Sequence, residues 1–242
     1  MITPRDEEIL KFINFFGKTY QEVLAKTFFP SLSSTKNRMV ALKKQDIISY
    51  WNTNLISPRK AIVLSQSTAL YFEEHLDIKV KKIKIHLSTI QHNIIEQITF
   101  FWLQKIGKII KTTVVNDSKN LHHTPDFILF SQEKKINIEV EITKKTEKRY
   151  KEIIFKSSKD GADYILYVVK KKEDIKRFAE YLPRSNKLMF IDINSLIHNI
   201  KTTGKINPIF QEQLLLYDEV WVKNFNSNYD LAYVQTLWLN KA

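Results

Sequence analysis

Residues 124–145, TPDFILFSQEKKINIEVEITKK, contain the pattern that decides the fold of the second half of this chain. Over residues 135–143 apolar side chains alternate with polar ones, which is typical of a β-strand with two different faces. This alternation places Glu139 and Glu141 on one face, with their carboxylates about 7 Å apart. The turn SQEKK between the two apolar runs predicts an antiparallel pairing that brings Asp126 beside Glu139.

Three converging carboxylates in a chain of net charge +12 favour a metal site, because like charges this close are stabilised by a cation between them. Magnesium or manganese held by Asp126, Glu139 and a backbone carbonyl would activate a water molecule and stabilise charge on a phosphoryl oxygen. Such a site predicts phosphodiester chemistry. The alternative interpretation is an ordinary amphipathic hairpin, in which Glu139 and Glu141 face water and pair with lysines.

The segments around this hairpin predict an α/β sandwich, in which helices cover a sheet. A basic run at residues 79–86 precedes a long apolar helix over 87–107. The predicted strands are 108–116, 125–131, 135–143, 163–169, 187–193 and 218–224, and the further predicted helices are 145–158 and 171–182. Together these segments form a second domain, residues 79–242, whose start falls between His75 and Leu87.

Residues 1–78 predict a separate unit of three short helices followed by a β-hairpin. The first helix covers 5–17, the second is capped by Thr19 and runs to about residue 26, and the third begins at Ser33 or Ser34. The hairpin lies within residues 47–66. Helices and hairpin in this order resemble a winged helix-turn-helix, so the fold class predicted for the whole chain is α/β (α+β).

The winged-helix interpretation predicts a DNA-binding surface, because the third helix of such a unit enters the major groove and its hairpin touches the backbone or minor groove. The candidate DNA-binding residues are Lys36, Asn37, Lys43, Lys44, Arg59 and Lys60. The alternative interpretation is a small helical packing module whose basic face is merely solvated.

The composition excludes several classes of protein. The chain has 242 residues with 38 Lys+Arg, 26 Asp+Glu, four glycines and no cysteine. The lack of cysteine excludes disulfides, Cys-ligated zinc, Fe–S clusters and a thiol nucleophile, and the few glycines argue against a nucleotide cofactor held by a glycine-rich loop. No apolar run reaches the roughly 18 residues of a membrane span, so we expect a cytoplasmic protein with no membrane partner. The excess positive charge favours nucleic acid as the partner, ahead of an anionic membrane.

The motif P-D, then about a dozen residues, then E-x-E is similar to that of the PD-(D/E)XK nuclease superfamily. A winged helix followed by TPDF and IEVEITKKTEK resembles the plasmid replication-relaxation proteins and the MOB-C-type mobilization relaxases. The resemblance covers residues 1 to about 200 and implies a restriction-endonuclease-like α/β/α core. It also implies a metal-dependent nickase that acts at a plasmid origin of transfer, with Mg²⁺ or Mn²⁺ as cofactor. An accessory or coupling mobilization protein would be the partner.

By this resemblance, Asp126 and Glu139 match the metal-binding acids of the nucleases. Glu141 stands where many of these nucleases place a lysine, so the positive group of the site is open. Lys144, just past the strand, is the nearest candidate and Lys148 is the alternative, although either lysine would also suit a solvated position.

Two residues of the long helix are further candidates, because His92 and Glu96 are four positions apart and therefore share one helical face. The resemblance implies that His92 orients the phosphate or transfers a proton and that Glu96 ligates a second metal or a bound water. The alternative for His92 is a hydrogen-bonded core residue. Two more histidines, His122 and His123, precede the motif, and at most one of them can face the site.

Three functions agree with this sequence. The leading prediction is the nickase, with catalytic contributions from the acids, Lys144 and His92. The second is a non-catalytic DNA-binding regulator of plasmid replication, and the third is a restriction-type endonuclease that cuts both strands. Since the sequence contains no His-hydrophobic-His triplet, a nickase of this kind would use metal-activated water or an unidentified nucleophile, and Tyr150 is one of ten tyrosines available.

Overall fold

The computed structural model describes residues 2–58, 60–76, 78–80, 86–112, 122–211 and 213–214. These residues form a mixed α/β structure with a two-stranded and a six-stranded sheet, which confirms the predicted fold class. Arg59, the second half of the predicted strand 108–116 and the predicted strand 218–224 lie outside the described residues. No helix in the described ranges is both long enough and apolar enough to cross a bilayer.

The first three helices are α1 (Pro4–Phe16), α2 (Gln21–Thr27) and α3 (Leu32–Lys44). Helix α1 begins with a capping box between Thr3 and Asp6 and ends at Gly17, whose φ of 76° lies in the left-handed region that favours glycine. The N-cap of α3 is Ser31, two or three residues before the predicted cap, and its hydroxyl accepts a hydrogen bond from the amide of Ser34.

The prediction that Thr19 caps α2 is wrong. The N-cap is Tyr20, which makes no side-chain capping bond. Thr19 instead forms an isolated β-bridge to Ile62, and its hydroxyl donates to Gln97 Oε1 at 2.8 Å. Both of these partners of Thr19, Ile62 and Gln97, come from distant parts of the chain. The buried threonine therefore links separate elements, and the N-terminus of α2 has no side-chain cap.

The predicted hairpin consists of β1 (Ile48–Asn52) and β2 (Lys60–Leu64), which pair antiparallel. Helix α4 (Gln66–Leu76) follows and was not predicted from the sequence. Apolar side chains of α1, α3, the hairpin and α4 share one core, in which Ile13, Met39 and Ile62 are almost completely buried.

A short 3₁₀ turn (Leu87–Thr89) leads into α5 (Ile90–Leu103), so the long helix is shorter at both ends than the predicted 87–107. The large sheet has the order β3-β4-β5-β6-β7-β8. Its strands are β3 (Lys108–Lys111), β4 (Phe127–Ser131), β5 (Lys134–Glu141), β6 (Tyr164–Val169), β7 (Leu188–Asp192) and β8 (Ile209–Phe210). The pairs β5–β6 and β6–β7 are parallel, and the other pairs are antiparallel.

Helices cover both faces of this sheet. The remaining helices are α6 (Glu147–Lys159), α7 (Lys172–Tyr181) and α8 (Ile193–Thr203), the last of which was not predicted. In β6, Leu166 and Val168 pack in a core with α5 and α8, whereas Tyr167 and Val169 pack with α6 and α7. The chain therefore forms three layers, as expected for a strand whose alternate residues are buried on opposite faces.

The N-terminal elements pack directly on α5. Phe12 and Tyr20 belong to the same buried apolar cluster as α5 and the sheet. Polar contacts add to this packing, since Gln97 Nε2 donates to the carbonyl of Lys18 at 3.0 Å and Trp102 Nε1 donates to that of Lys26 at 3.1 Å. Helix α5 is thus held on one side by the sheet and on the other by α2.

Candidate active site

A cavity of about 430 Å³ opens where β5 ends, between the start of α5 and the start of α6. The charged and titratable side chains that line it are His92, His123, Asp126, Glu139, Glu141, Lys145 and Arg149. Three separate regions of the chain, around residues 92, 125 and 142, therefore meet at this place.

The sheet register brings Asp126 and Glu139 together. Phe127 pairs with Ile138, so the residue before β4 falls next to Glu139 on β5. The predicted pairing of the two carboxylates is therefore confirmed. Asp126 Oδ2 accepts a hydrogen bond of 2.7 Å from the amide of Val140, which fixes the carboxylate at the mouth of the cavity.

Glu139 and Glu141 lie on the face of β5 that points toward α6, and they are only 5% and 3% exposed. The alternative of an amphipathic hairpin is therefore wrong in placing these glutamates in water, although its expected pairing with a lysine is present at Glu141, whose carboxylate contacts Lys145. Burial raises the pKa of Glu139; Asp126 raises it further, while His123 opposes the shift. Burial also raises the pKa of Glu141, against the effect of Lys145.

Sequence reasoning did not select His123, yet this histidine is at the centre of the site. Its Nε2 atom lies 2.6 Å from Glu139 Oε1, and both side chains are 7% exposed. His122 points away and is 56% exposed, so the prediction that at most one of the two faces the site is confirmed. Alternation along an extended segment predicts that the side chains of His122 and His123 point in opposite directions. Only the path of the loop decides which of the two points into the cavity.

His92 lines the cavity from α5. Its Nε2 atom is 3.4 Å from Asp126 Oδ2, and its side chain is 34% exposed, so it is not enclosed in the core. Burial lowers the pKa of His92, but Asp126 and Glu96 outweigh this effect and the net shift is upward. Glu96 lies one turn further along and does not line the cavity, because its carboxylate is paired with Lys111.

The lysine in the cavity is Lys145, rather than the predicted Lys144. Lys145 pairs with Glu141, whereas the ammonium of Lys144 is 4.1 Å from the ring centre of Tyr181, outside the cavity. The alternative candidate, Lys148, is exposed on α6 and does not line the cavity either. The strand ends at Glu141, so the alternation of side chains between two faces no longer predicts which way Lys144 and Lys145 point.

The chemistry of the cavity suits a hard divalent cation. Magnesium is commonly bound by one or two carboxylates with water completing its shell, and Asp126 and Glu139 supply two such groups to one cavity. Within the described ranges, no three or more His, Asp or Glu side chains are arranged to hold a metal ion. Asp126 and Glu139 are two carboxylates of the cavity that could contact a cation.

The predicted DNA-binding side chains of α3 are exposed, as expected for a contact surface. Lys36, Asn37, Lys43 and Lys44 all face solvent. Two lysines flank one aromatic ring here: the ammonium groups of Lys43 and Lys60 are 5.1 and 5.4 Å from the ring centre of Tyr50. Tyr50 therefore brings a cation of α3 and a cation of β2 close to each other.

Comparison of the chain with protein families, characterised proteins and solved structures finds no match. The resemblance to the mobilization relaxases therefore stays a prediction from the motif residues.

Proposed function

We propose that this protein is a divalent-metal-dependent DNA endonuclease that cuts one strand of a duplex. The observation that carries the proposal is the meeting of Asp126 and Glu139 with the Glu141–Lys145 pair in one cavity. Buried carboxylates beside a lysine suit metal-assisted attack on a phosphodiester, because the acids hold the cation and the lysine offsets charge on the phosphate.

The charge of the chain supports DNA as the substrate class. A formal net charge of +12 attracts a polyanion, and contacts to DNA phosphates supply affinity without selecting a DNA sequence. The exposed polar side chains of α3 would select the DNA sequence by contacting base edges in the major groove. The winged-helix and nuclease-like assignments of the two parts belong to this proposal.

The roles of the cavity side chains follow from their positions. A bound Mg²⁺ or Mn²⁺, held by Asp126 and Glu139, would supply Lewis-acid chemistry and an activated water. Lys145 would contact the phosphate beside Glu141. His92, which lines the cavity with its Nε2 atom 3.4 Å from Asp126 Oδ2, would donate a proton to the departing oxygen.

Water is the nucleophile in this proposal. The tyrosines nearest to the acids, Tyr150 and Tyr167, are fully buried, and the hydroxyl of Tyr150 accepts a hydrogen bond of 3.1 Å from the amide of Lys145. A buried phenol has no access to a DNA backbone, so neither side chain suits a covalent protein–DNA intermediate.

The narrower proposal is a relaxase that nicks plasmid DNA at an origin of transfer during conjugative mobilization. It rests on the resemblance carried by TPDF and IEVEITKKTEK. An accessory or coupling mobilization protein would then be its partner in the cytoplasm, and no nucleotide cofactor would be needed.

The test is the conversion of supercoiled plasmid to open circles, with a plasmid that carries the DNA neighbouring this protein's own coding sequence. Wild type should nick with Mg²⁺ or Mn²⁺, and Asp126→Asn and Glu139→Gln should each abolish nicking. The matched control is Glu180→Gln, at an exposed glutamate on α7, which should nick as wild type does. Linear product would favour the restriction-type endonuclease, and no cleavage by wild type would contradict the enzyme proposal.

A non-catalytic DNA-binding regulator is the second candidate, and one observation favours it. Glu139 is already paired with His123 and Glu141 with Lys145, so the acids have protein partners without a metal. Calorimetric titration with Mn²⁺ separates the two candidates. No binding, together with retained binding to origin DNA, would support the regulator.

A further inference from the structure

The carboxylate of Asp160, at the C-terminal end of α6, holds the short segment that carries His123. Its Oδ1 atom accepts a hydrogen bond from the amide of His122 and its Oδ2 atom accepts one from the amide of His123, both at 3.0 Å. The ring of His122 also contacts Oδ1, with a distance of 2.9 Å from Nδ1. One buried carboxylate, 4% exposed, thus contacts two successive residues.

These contacts form a chain that ends at the cavity. Asp160 fixes the backbone of His123, and the imidazole of His123 then reaches Glu139 Oε1 at 2.6 Å. The same segment continues through Thr124 to Asp126, whose carboxylate is held by the amide of Val140. Asp160 does not line the cavity, so it acts on the site only through other residues.

We propose that Asp160 is a positioning residue, which acts through His123 to hold Glu139 in the orientation that binds the divalent cation. This inference rests on the proposed function. The physical reason is that hydrogen bonds from outer residues orient a carboxylate that ligates a metal. Loss of such an outer partner typically weakens metal affinity by about 10- to 100-fold.

The chain offers a matched control three residues further on. Asp163 lies in the same turn between α6 and β6, and its Oδ2 atom accepts a hydrogen bond of 2.9 Å from the amide of Lys135. Both aspartates therefore tie this turn to a neighbouring strand or loop through backbone amides. Only Asp160 contacts the segment that carries His123.

The experiment is Mn²⁺ binding by calorimetry to the full chain, without DNA and without turnover. We expect Asp160→Asn to bind Mn²⁺ about 10- to 100-fold more weakly than wild type and Asp163→Asn to bind as wild type does. Equal affinity of Asp160→Asn and wild type would overturn the inference. Failure of wild type to bind Mn²⁺ would instead contradict the proposed function, so the two failures are distinguishable.

A second comparison shows whether Asp160 acts through His123. His123→Gln should weaken Mn²⁺ binding, and the double variant with Asp160→Asn should bind no more weakly than His123→Gln alone, because the two residues form one chain of contacts. If the two substitutions instead reduced Mn²⁺ affinity additively, Asp160 would not act through His123. If Asp160→Asn does not fold, the test uses His123→Gln alone, because this variant keeps the contacts of the Asp160 carboxylate with the His122 ring and the two backbone amides. Wild-type Mn²⁺ affinity in His123→Gln would overturn the inference.

Discussion

The imidazole Nε2 atom of His123 lies 2.6 Å from Glu139 Oε1, in a place where both side chains are 7% exposed. Strand alternation predicts the position of Glu139, whereas no local pattern distinguishes His123 from its neighbour His122. The pair makes the stability of the fold and the chemistry of the cavity depend on the same contact.

Removal of this histidine should destabilise the protein. His123→Ala leaves the buried carboxylate of Glu139 without its partner, and an unsatisfied buried polar group costs about 1–3 kcal/mol. The midpoint of urea-induced unfolding should therefore fall. The control is His122→Ala, at the exposed neighbour, which should lose less stability; equal losses in the two variants would contradict a special role for the buried pair.

The two adjacent lysines at the end of β5 should differ in their effect on cleavage. Lys145→Ala removes a cation that lines the cavity and pairs with Glu141, and loss of one group that stabilises the transition state typically costs about 10²–10³ in rate. Lys144→Ala removes a cation that contacts Tyr181, so cleavage should stay near the wild-type rate. The measurement is the initial rate of nicking; a larger loss in Lys144→Ala would show that the cavity lysine is assigned incorrectly.

The lysines at the C-terminal end of α3 should contribute to DNA affinity and to its salt dependence. Lys43→Ala with Lys44→Ala removes two exposed charges, and each lost phosphate contact reduces the salt slope by about 1. The measurement is fluorescence anisotropy with origin DNA over a range of salt concentrations. The control is Lys171→Ala with Lys172→Ala, at two exposed lysines near the start of α7. Unchanged binding in the α3 variant would contradict the proposed docking face.

The ion pair between Asp6 and Arg38 should make stability fall at low pH. Burial alone would raise the pKa of Asp6, but hydrogen bonds from Arg38 and Thr3 outweigh it and lower the pKa from 3.8 to about 2. A carboxyl whose pKa is lower in the folded state stabilises the fold above its unfolded pKa, and this contribution is lost as pH falls from 3.8 toward 2.

The measurement for this pair is the free energy of unfolding between pH 5 and pH 2, for wild type beside Asp6→Asn. The variant lacks the titrating group, so its stability should fall less steeply below pH 4. Parallel curves for the two proteins would show that Asp6 has the same pKa in the folded and unfolded states.

Much of the fold follows from local patterns. Alternation over residues 136–141 predicted β5 and the shared face of its two glutamates, and helical periodicity located α1, α5, α6 and α7. The predictions missed α4, α8 and the short strand β8, and misplaced the caps of α2 and α3. Helix caps depend on which partner reaches a single side chain, and in the case of Thr19 the partners were Ile62 and Gln97 from elsewhere in the chain.

The sequence by itself determined most of the helices and strands, and the acids of β5, because periodicity acts between residues two to four positions apart. Only the tertiary structure decided that His123 rather than His122 faces Glu139, that Lys145 rather than Lys144 enters the cavity, and that Glu96 pairs with Lys111. Each of these choices depends on loop paths and on contacts between distant segments. Periodicity ends where a strand or helix ends, so the directions of Lys145, beyond β5, and His123, three residues before Asp126, could be located only by packing.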